Sequence, residues 1–570
     1  MKGEEDERER KKELREQISS QFDHVLKPLY DEAEKTELML PVEEGIALRT
    51  ELFLPKGSSG PLPVLVVRTC YPMQEDMLRI QLEEAARRGF AGVLQWCRGT
   101  NGSEGDWEPY FYERNDGKKL MDYLQEQEWV ESIGLFGGSY LALVGFILLD
   151  ILPEKVKTMY LTVFGTEWHQ SLWQEGAFRQ DVYTAWLMSE AVRGAQLDYL
   201  ESAKYRPQIR VDEDLWHKKV QVYRDFISKP APADPYWSEG YWGILKEAPK
   251  KTDIPVFIGD GWYDIHVGNA ISTYCNLSPQ AKAHSVLQIN PGNHGLIPVI
   301  PNQRKQGHAA VDSYEQQLRW FKEILVDKKL PEASVDLYLT GADEWLSYAA
   351  WEEKCPAEKV FYLDGSSLAE SPAETESVRE YDYDPENPVI SHGSGTLFVT
   401  TDGIGSLTQP GPDWRADVLS YQSAPLEEDM DIVGSIEADL WIESDAPDTC
   451  FTIKLMEVDE KGIASNIRNG ITTLAYRNGA QTKQTYEGGP LKITISCWET
   501  AFRIKKGSSV RVDISSSNFP EFSAHPNTAA GWAMEAAAQI AHQKILSGKE
   551  YPSCVRLPLR DKTQEKGSRW

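Results

Sequence analysis

From residue 46 to residue 339 the chain alternates short, almost unbroken apolar runs with stretches of helical period, and few folds accept that pattern. The runs are 46–54, 63–69, 89–95, 133–136, 156–164, 254–259, 285–289 and 335–339. A strand that is apolar on both faces must be covered on both, so repeated strand–helix–strand alternation predicts a largely parallel sheet with helices on either side. Between residues 166 and about 248 the strand signal stops, and a helical stretch rich in aromatics, including Trp168, Trp173, Tyr183 and Trp186, predicts a cap inserted over the sheet. Beyond residue 343 helices become scarce and strand-like runs recur at 360–363, 396–400, 432–443, 451–458, 471–476, 491–495 and 509–515, the pattern of a β-sandwich. The clusters 366–388 and 403–412, dense in Pro, Gly and Ser, read as loops. Residues 1 to 37 are densely charged, with Leu14, Ile18, Phe22 and Leu26 four apart, and predict an amphipathic helical arm, docked or frayed. The expected organisation is an arm (1–37), a first part of the core (38–165), a helical cap (166–248), a second part of the core (249–343) and a β-sandwich (344–570).

Composition narrows the function. The chain of 570 residues carries 60 Lys and Arg against 88 Asp and Glu, a formal charge of -28 that repels phosphate backbones and anionic membrane surfaces. Neither nucleic acid nor a membrane is expected as a partner. The longest apolar run, 141–149, is about half the roughly 18 residues that a membrane span needs. The seven cysteines, Cys355 among them, are scattered without a C-x-x-C pair, and the charged start Met1-Lys2-Gly3-Glu4 runs into no apolar segment. Both features fit a reduced, cytoplasmic protein. Neither His nor Cys shows metal-ligand spacing, so no metal or organic cofactor is expected.

The sharpest local signal is Gly134-Leu135-Phe136-Gly137-Gly138-Ser139-Tyr140-Leu141-Ala142, entered from a strand and left by an apolar helix. Such a turn lifts a serine hydroxyl clear of the sheet at a helix N-terminus, the context of a nucleophile elbow. The usual G-x-S-x-G has glycine where this chain has Leu141. A second glycine-rich turn, Gly102-Ser103-Glu104-Gly105, leads into Asp106-Trp107-Glu108-Pro109 rather than an apolar helix and reads as a loop. A nucleophilic serine needs a base and a carboxylate to orient it, which an α/β-hydrolase supplies later in the chain in the order Ser, Asp, His. The run 254–259 leads into Asp260-Gly261-Trp262-Tyr263-Asp264, where Asp264 is the orienting candidate and Asp260 a turn-capping residue. The run 285–289 leads into Asn290-Pro291-Gly292-Asn293-His294, which presents His294 as the base; His308 has no strand before it. Oxyanion donors are expected from the Tyr140 amide and from the loop Arg68-Thr69-Cys70-Tyr71, where the Tyr71 phenol competes with a plain packing role. Trp168, Trp173 and Trp262 are the candidate substrate-binding aromatics.

Together, Arg68-Thr69-Cys70-Tyr71, Arg98-Gly99-Thr100-Asn101-Gly102, Gly137-Gly138-Ser139-Tyr140, Gly261-Trp262-Tyr263-Asp264 and Asn290-Pro291-Gly292-Asn293-His294 resemble the successive signatures of the CocE/NonD hydrolases. That family includes cocaine esterase, α-amino acid ester hydrolases and X-Pro dipeptidyl-peptidases. The resemblance continues through Asp445-Ala446-Pro447-Asp448-Thr449 and Ser516-Ser517-Asn518-Phe519-Pro520 to Tyr551-Pro552-Ser553. It implies an α/β-hydrolase core, an inserted helical cap and a C-terminal jelly roll. It also implies that Tyr71 donates its hydroxyl, and Tyr140 its amide, to the oxyanion. In the α-amino ester branch, acids just after the triad Asp hold the substrate ammonium; here those positions are His266 and Val267. The expectation is a serine esterase, less readily an amidase, for a bulky or aromatic acyl group. The alternatives are an X-Pro dipeptidyl-peptidase and a catalytically silent binding protein. The substrate is expected to be a small molecule, and jelly-roll edges are compatible with a homodimer.

Overall fold

A computed structural model describes residues 2–300, 307–309, 313–351, 357–395 and 403–566. The expected strand 396–400 and Cys355 lie outside the described residues. The first sheet has ten strands: β1 (Ala33–Glu43), β2 (Ile46–Pro55), β3 (Leu62–Thr69), β4 (Ala91–Trp96), β5 (Val130–Gly138), β6 (Val156–Thr162), then β9 (Val256–Gly261), β10 (Val286–Asn290), β11 (Ser334–Leu339) and β12 (Glu344–Tyr348). The short hairpin β7 (Trp173–Gln174) and β8 (Ala177–Phe178) lies in the cap. The spatial order is β1-β2-β4-β3-β5-β6-β9-β10-β11-β12, parallel from β4 through β11 and antiparallel at both edges. Every residue of β3, β4, β9 and β10 is buried, as continuous apolar runs require of strands covered on both faces.

Four helices bear on the site and its frame: α1 (Lys2–Asp23), α2 (Glu75–Ala86), α3 (Glu113–Glu126) and α4 (Tyr140–Phe146). The arm α1 docks. Ile18 and Phe22 sink into the main core, and the fully buried Arg88 guanidinium binds Asp23 at 2.5 Å. The cap between β6 and β9 consists of short helices, the longest Gln180–Ala191, and its aromatics belong to the same core cluster as the sheet. Among the described residues, eleven strands between Ala357 and Leu559 form the β-domain, antiparallel except where Ser367–Ala369 pairs with Leu419–Ser423, around a core of its own. None of the described helices is long and apolar enough to cross a membrane.

Three sequence expectations need correction, each at a sheet edge. β1 starts at Ala33, inside the expected arm; its Glu34, Lys35 and Glu37 are exposed, so no apolar run marks it. β12 pairs with β11 in the first sheet, which places the end of the hydrolase core one strand beyond residue 343. Ser377–Tyr383, expected as loop, is a strand paired with Ala541–Ser547. Edge strands keep polar and charged residues outward, which erases the hydrophobic signal used to find them.

Candidate active site

The three expected catalytic residues emerge at the carboxyl ends of parallel strands, where open α/β sheets place their sites. β5 ends at Gly138, α4 begins at Tyr140, and Ser139 makes the turn between them with φ 59° and ψ -127°. That conformation costs a non-glycine residue on the order of 1–3 kcal/mol and persists only where the surroundings enforce it. The Ser139 N–H donates to the Thr162 carbonyl at 2.9 Å, and its own carbonyl accepts from Ala142 at 2.8 Å and Leu143 at 3.1 Å. The Ser139 side chain caps nothing. Gly137 makes the turn possible, because a Cβ there would stand 2.4 Å from the Leu141 carbonyl oxygen. The first glycine of the motif thus relieves the crowding at this crossing, and Leu141 is accommodated where the usual motif has a second.

Asp264 follows β9 in a turn closed by its N–H on the Gly261 carbonyl at 2.9 Å, and it is buried. One carboxylate oxygen accepts the His266 backbone N–H at 2.6 Å, and the other lies 2.5 Å from His294 Nδ1. Burial opposes its ionisation, but the His294 imidazole and the His266 N–H outweigh it and hold the carboxyl below its usual range. The loop after β10 that presents His294 is stiffened by Asn290 and Asn293, whose side chains accept from the Gly292 and Gly295 N–H groups at 2.8 and 3.0 Å. Ser139 and His294 line one cavity of about 280 Å³, together with Gln74, Met77, Leu296 and Tyr314. Two further cavities, of about 460 and 630 Å³, are cut into the β-domain and contain none of the three.

The expected oxyanion donors sit side by side, with the Tyr71 and Tyr140 rings 6.3 Å apart and edge-on. Tyr140 is anchored by its phenol, which donates to Glu113 at 2.9 Å and accepts the Tyr110 N–H at 2.8 Å; Glu113 is in turn paired with buried Arg68 at 3.0 Å. Tyr71 accepts the Trp186 indole N–H at 3.0 Å. An indole can only donate, so this bond does not use the Tyr71 proton. Burial pushes the Tyr71 phenol well above its ordinary pKa, which keeps that proton in place. Sequence reasoning passed over Trp186, since nothing local separates it from the other cap aromatics.

The candidate substrate-binding tryptophans do not line the cavity that holds Ser139. Trp262 is fully buried with its indole N–H on the Tyr338 carbonyl at 2.8 Å, and Trp173 donates to the Phe226 carbonyl at 3.1 Å. Both are packing residues of the core and cap, which corrects the sequence expectation. Trp168 stacks on Trp242 at 5.1 Å, with its ring 6.4 Å from His266. His308 is exposed and faces Asp343, away from the triad. Asp260 does cap a turn, accepting the Gly261 N–H at 2.7 Å, and is buried as well.

His266 is buried against Phe164, with Nδ1 on the Ser171 hydroxyl at 2.9 Å, and burial drops its pKa to about 3. It is therefore neutral at physiological pH. Ligand atoms of Asp264, His266 and His294 lie within 4.8 Å of one another, close enough to hold a metal ion. Yet the Asp264–His294 pair and the His266–Ser171 bond already occupy them in an arrangement suited to proton transfer. The β-domain packs against the Asp264 turn: the Arg179 guanidinium pairs with Glu521 at 3.2 Å and donates to the Gly395 carbonyl at 3.0 Å, and Gly395 lies so close to the Asp264 backbone that a Cβ would stand 3.2 Å from it.

Comparison with known proteins agrees with this architecture. Residues 44–296 match the profile of the X-Pro dipeptidyl-peptidase (S15) family, and residues 328–556 match the X-Pro dipeptidyl-peptidase C-terminal non-catalytic domain. The chain is 27% identical to cocaine esterase of Rhodococcus sp. (strain MB1 Bresler) over 92% of its length and 98% of that protein. Among solved structures it superposes on an aminopeptidase from a marine sediment Thaumarchaeota archaeon with a TM-score of 0.76 at 19% identity, covering 94% of this chain and 97% of that one. An α-amino acid ester hydrolase gives a TM-score of 0.74 at 21% identity, covering 93% and 97%. A CocE/NonD family hydrolase from Staphylococcus aureus gives 0.64 at 14% identity, covering 92% and 93%. With its α/β-hydrolase sheet, its inserted cap and its C-terminal β-domain, the chain belongs to the CocE/NonD family of serine hydrolases.

Proposed function

We propose that this hydrolase is an esterase acting on carboxylic esters of bulky or aromatic acids through an acyl-enzyme. The observation that carries the reading is the strained backbone of Ser139, which holds a free hydroxyl in the cavity shared with His294. Ser139 Oγ attacks the ester carbonyl while His294 takes its proton, and Asp264 holds the resulting imidazolium through Nδ1. The oxyanion is met by the Tyr140 N–H at the first turn of α4 and by the Tyr71 hydroxyl, whose oxygen Trp186 fixes in place. His294 returns the proton to the departing alkoxide, and a water activated by the same imidazole releases the acid. Trp186, stacked on Tyr140 and bonded to the Tyr71 hydroxyl, sets an aromatic surface beside the oxyanion donors, which favours a flat or bulky acyl group.

A dipeptidyl-peptidase would need a carboxylate for the substrate ammonium. Among the described residues lining the Ser139 cavity there is no Asp or Glu, and the positions after Asp264 are His266 and Val267. Initial rates on p-nitrophenyl butyrate, phenyl benzoate and Gly-Pro-p-nitroanilide, for the wild type and Ser139→Ala, test the choice. Ester turnover that disappears in the variant, without anilide cleavage, is expected. Anilide cleavage dependent on Ser139 would make the peptidase reading the better one, and ester turnover surviving in Ser139→Ala would remove the nucleophile assignment.

A further inference from the structure

The cavity of about 460 Å³ in the β-domain has no part in the chemistry at Ser139. Its floor lies on four adjacent strands, Leu419–Ser423, Ser509–Ser515, Cys450–Val458 and Ala464–Thr473. Pairing sets Ser420, Asp513, Lys454 and Asn469 in one row across those strands, with Ser515 beside Thr452 in the next. Residues directly opposite one another share a face of the sheet. Ile453, Leu455, Val512 and Ile514, which alternate with them, belong to the β-domain core. The floor is thus the polar face of the sheet, and Lys454, Asp513 and Asn469 stand together on it.

The carboxylates near this floor already have cations. Asp513 accepts from Arg511 through both oxygens, at 2.8 and 2.7 Å, and from the Ser420 hydroxyl at 2.6 Å. Glu521, held by the Asn469 and Asn518 amides at 3.0 and 2.6 Å, is paired with Arg179. At the rim, Arg415 pairs with Asp417 at 2.7 Å. Lys454 is different. Its ammonium donates to two neutral oxygens, the His392 carbonyl and Gln409 Oε1, both at 3.3 Å. Among the described residues it makes no ion pair, although the chain has 88 acidic residues against 60 basic ones. Burial holds the Lys454 pKa below its ordinary range, and the charges of Glu521 and Asp513 offset that in part. A charge withdrawn from water is normally matched by a partner, and here the partner is still to come.

The wall supplies an apolar side. Trp414 and Ile390 both line the cavity while 42% and 44% exposed, and the Arg415 guanidinium lies over the Trp414 ring at 5.8 Å. A concave space with an exposed aromatic ring and one fixed polar group is the usual form of a small-molecule site, and this volume suits a ligand of one or two rings. A neutral ligand would leave the Lys454 ammonium as unmatched as before, and a cation would be repelled by it. We propose that this cavity is a second ligand site, which binds a carboxylate attached to a flat ring, with the carboxylate on Lys454 and the ring against Trp414. The site shares no residue with the Ser139 cavity and does not rest on the esterase reading.

The test is isothermal titration of the full-length protein with benzoate, its neutral isostere benzamide, and acetate. The protein is first treated with diisopropyl fluorophosphate, so that the Ser139 cavity is filled and cannot take the acid itself. Benzoate is expected to bind at one site per chain, about tenfold or more tightly than benzamide or acetate, because the first lacks the charge and the second the ring. Lys454→Met, which keeps the length of the side chain but not its charge, is expected to weaken benzoate binding by about tenfold or more. Trp414→Ala is expected to weaken it by about threefold or more. Both variants should turn over p-nitrophenyl butyrate within about twofold of the wild type before treatment, since neither residue borders the Ser139 cavity. Trp414 is largely exposed, so its variant carries the test if Lys454→Met does not fold. Absence of saturable benzoate binding, benzamide binding as tightly as benzoate, or benzoate binding unchanged in either folded variant would each overturn the site.

Discussion

Two glycine-rich turns leave the same end of the sheet, after β4 and after β5 with β3 between them, and each carries a serine. In the turn after β4 the positive φ angles fall on Gly99, Asn101, Gly102 and Gly105, and Ser103 is left in ordinary backbone. Its hydroxyl is spent, donating to the Trp96 carbonyl at 2.7 Å and accepting the Arg49 N–H at 3.0 Å. In the turn after β5 the strained residue is the serine itself, and its side chain caps nothing. Glycines near a serine therefore do not identify a nucleophile. The mark is which residue bears the strain, and whether the hydroxyl has been used to hold the loop together.

The contrast is broken most directly by removing each hydroxyl. Ser139→Ala is expected to lower ester turnover by roughly 10⁴-fold or more with little change in thermal unfolding. Ser103→Ala should do the reverse, keeping turnover while losing about 1–2 kcal/mol, because the buried Trp96 carbonyl and Arg49 N–H lose their partner. Parallel denaturation curves and initial rates read both; Ser103→Ala losing as much activity as Ser139→Ala would erase the distinction. A smaller effect concerns the donor beside the strained turn. Tyr71→Phe is expected to cut kcat by roughly 10²-fold with a lesser effect on KM, as befits a group that serves chiefly the transition state. Unchanged kcat would return Tyr71 to a packing role.

Acid should act on the frame of the other turn. Arg49, which holds Ser103 and the Asn101 carbonyl, pairs with buried Glu51, and Arg79 and Lys35 bind the same carboxylate. Burial opposes the charge on Glu51, but these partners outweigh it and bring its pKa down to about 2. Its value in the unfolded chain is about 4.3, so the folded state favours the ionised form. The stability this confers is present in full above that value and drains away as pH falls toward about 2, by up to about 3 kcal/mol. Glu51→Gln should flatten that part of the stability–pH curve; a slope as steep as in the wild type would show that other carboxylates carry it.

What could be read from the sequence follows the range of the forces involved. The strand–turn–helix around Ser139 and the strand–loop contexts of Asp264 and His294 are local, and the residues that make them stand within a few positions of one another. The edge strands β1 and β12 pair with β2 and β11, their neighbours in sequence, but no apolar run marks them, whereas the amphipathic spacing of α1 is legible and its docking depends on residues as far along as Arg88. The tryptophans divide in the same way. Trp262 adjoins the Asp264 turn in sequence but turns into the core toward Tyr338, whereas Trp186, far from every motif, reaches Tyr71. Adjacency to a motif does not say which way a side chain faces.

The most direct test of the central claim is peptide mapping by mass spectrometry after the wild-type protein reacts with a fluorophosphonate. The account predicts a single adduct on the peptide containing Ser139, formed rapidly and lost when Asp264 is changed to Asn, with Ser103 unmodified. An adduct on Ser103 or another serine, or none under conditions that label serine esterases, would contradict it.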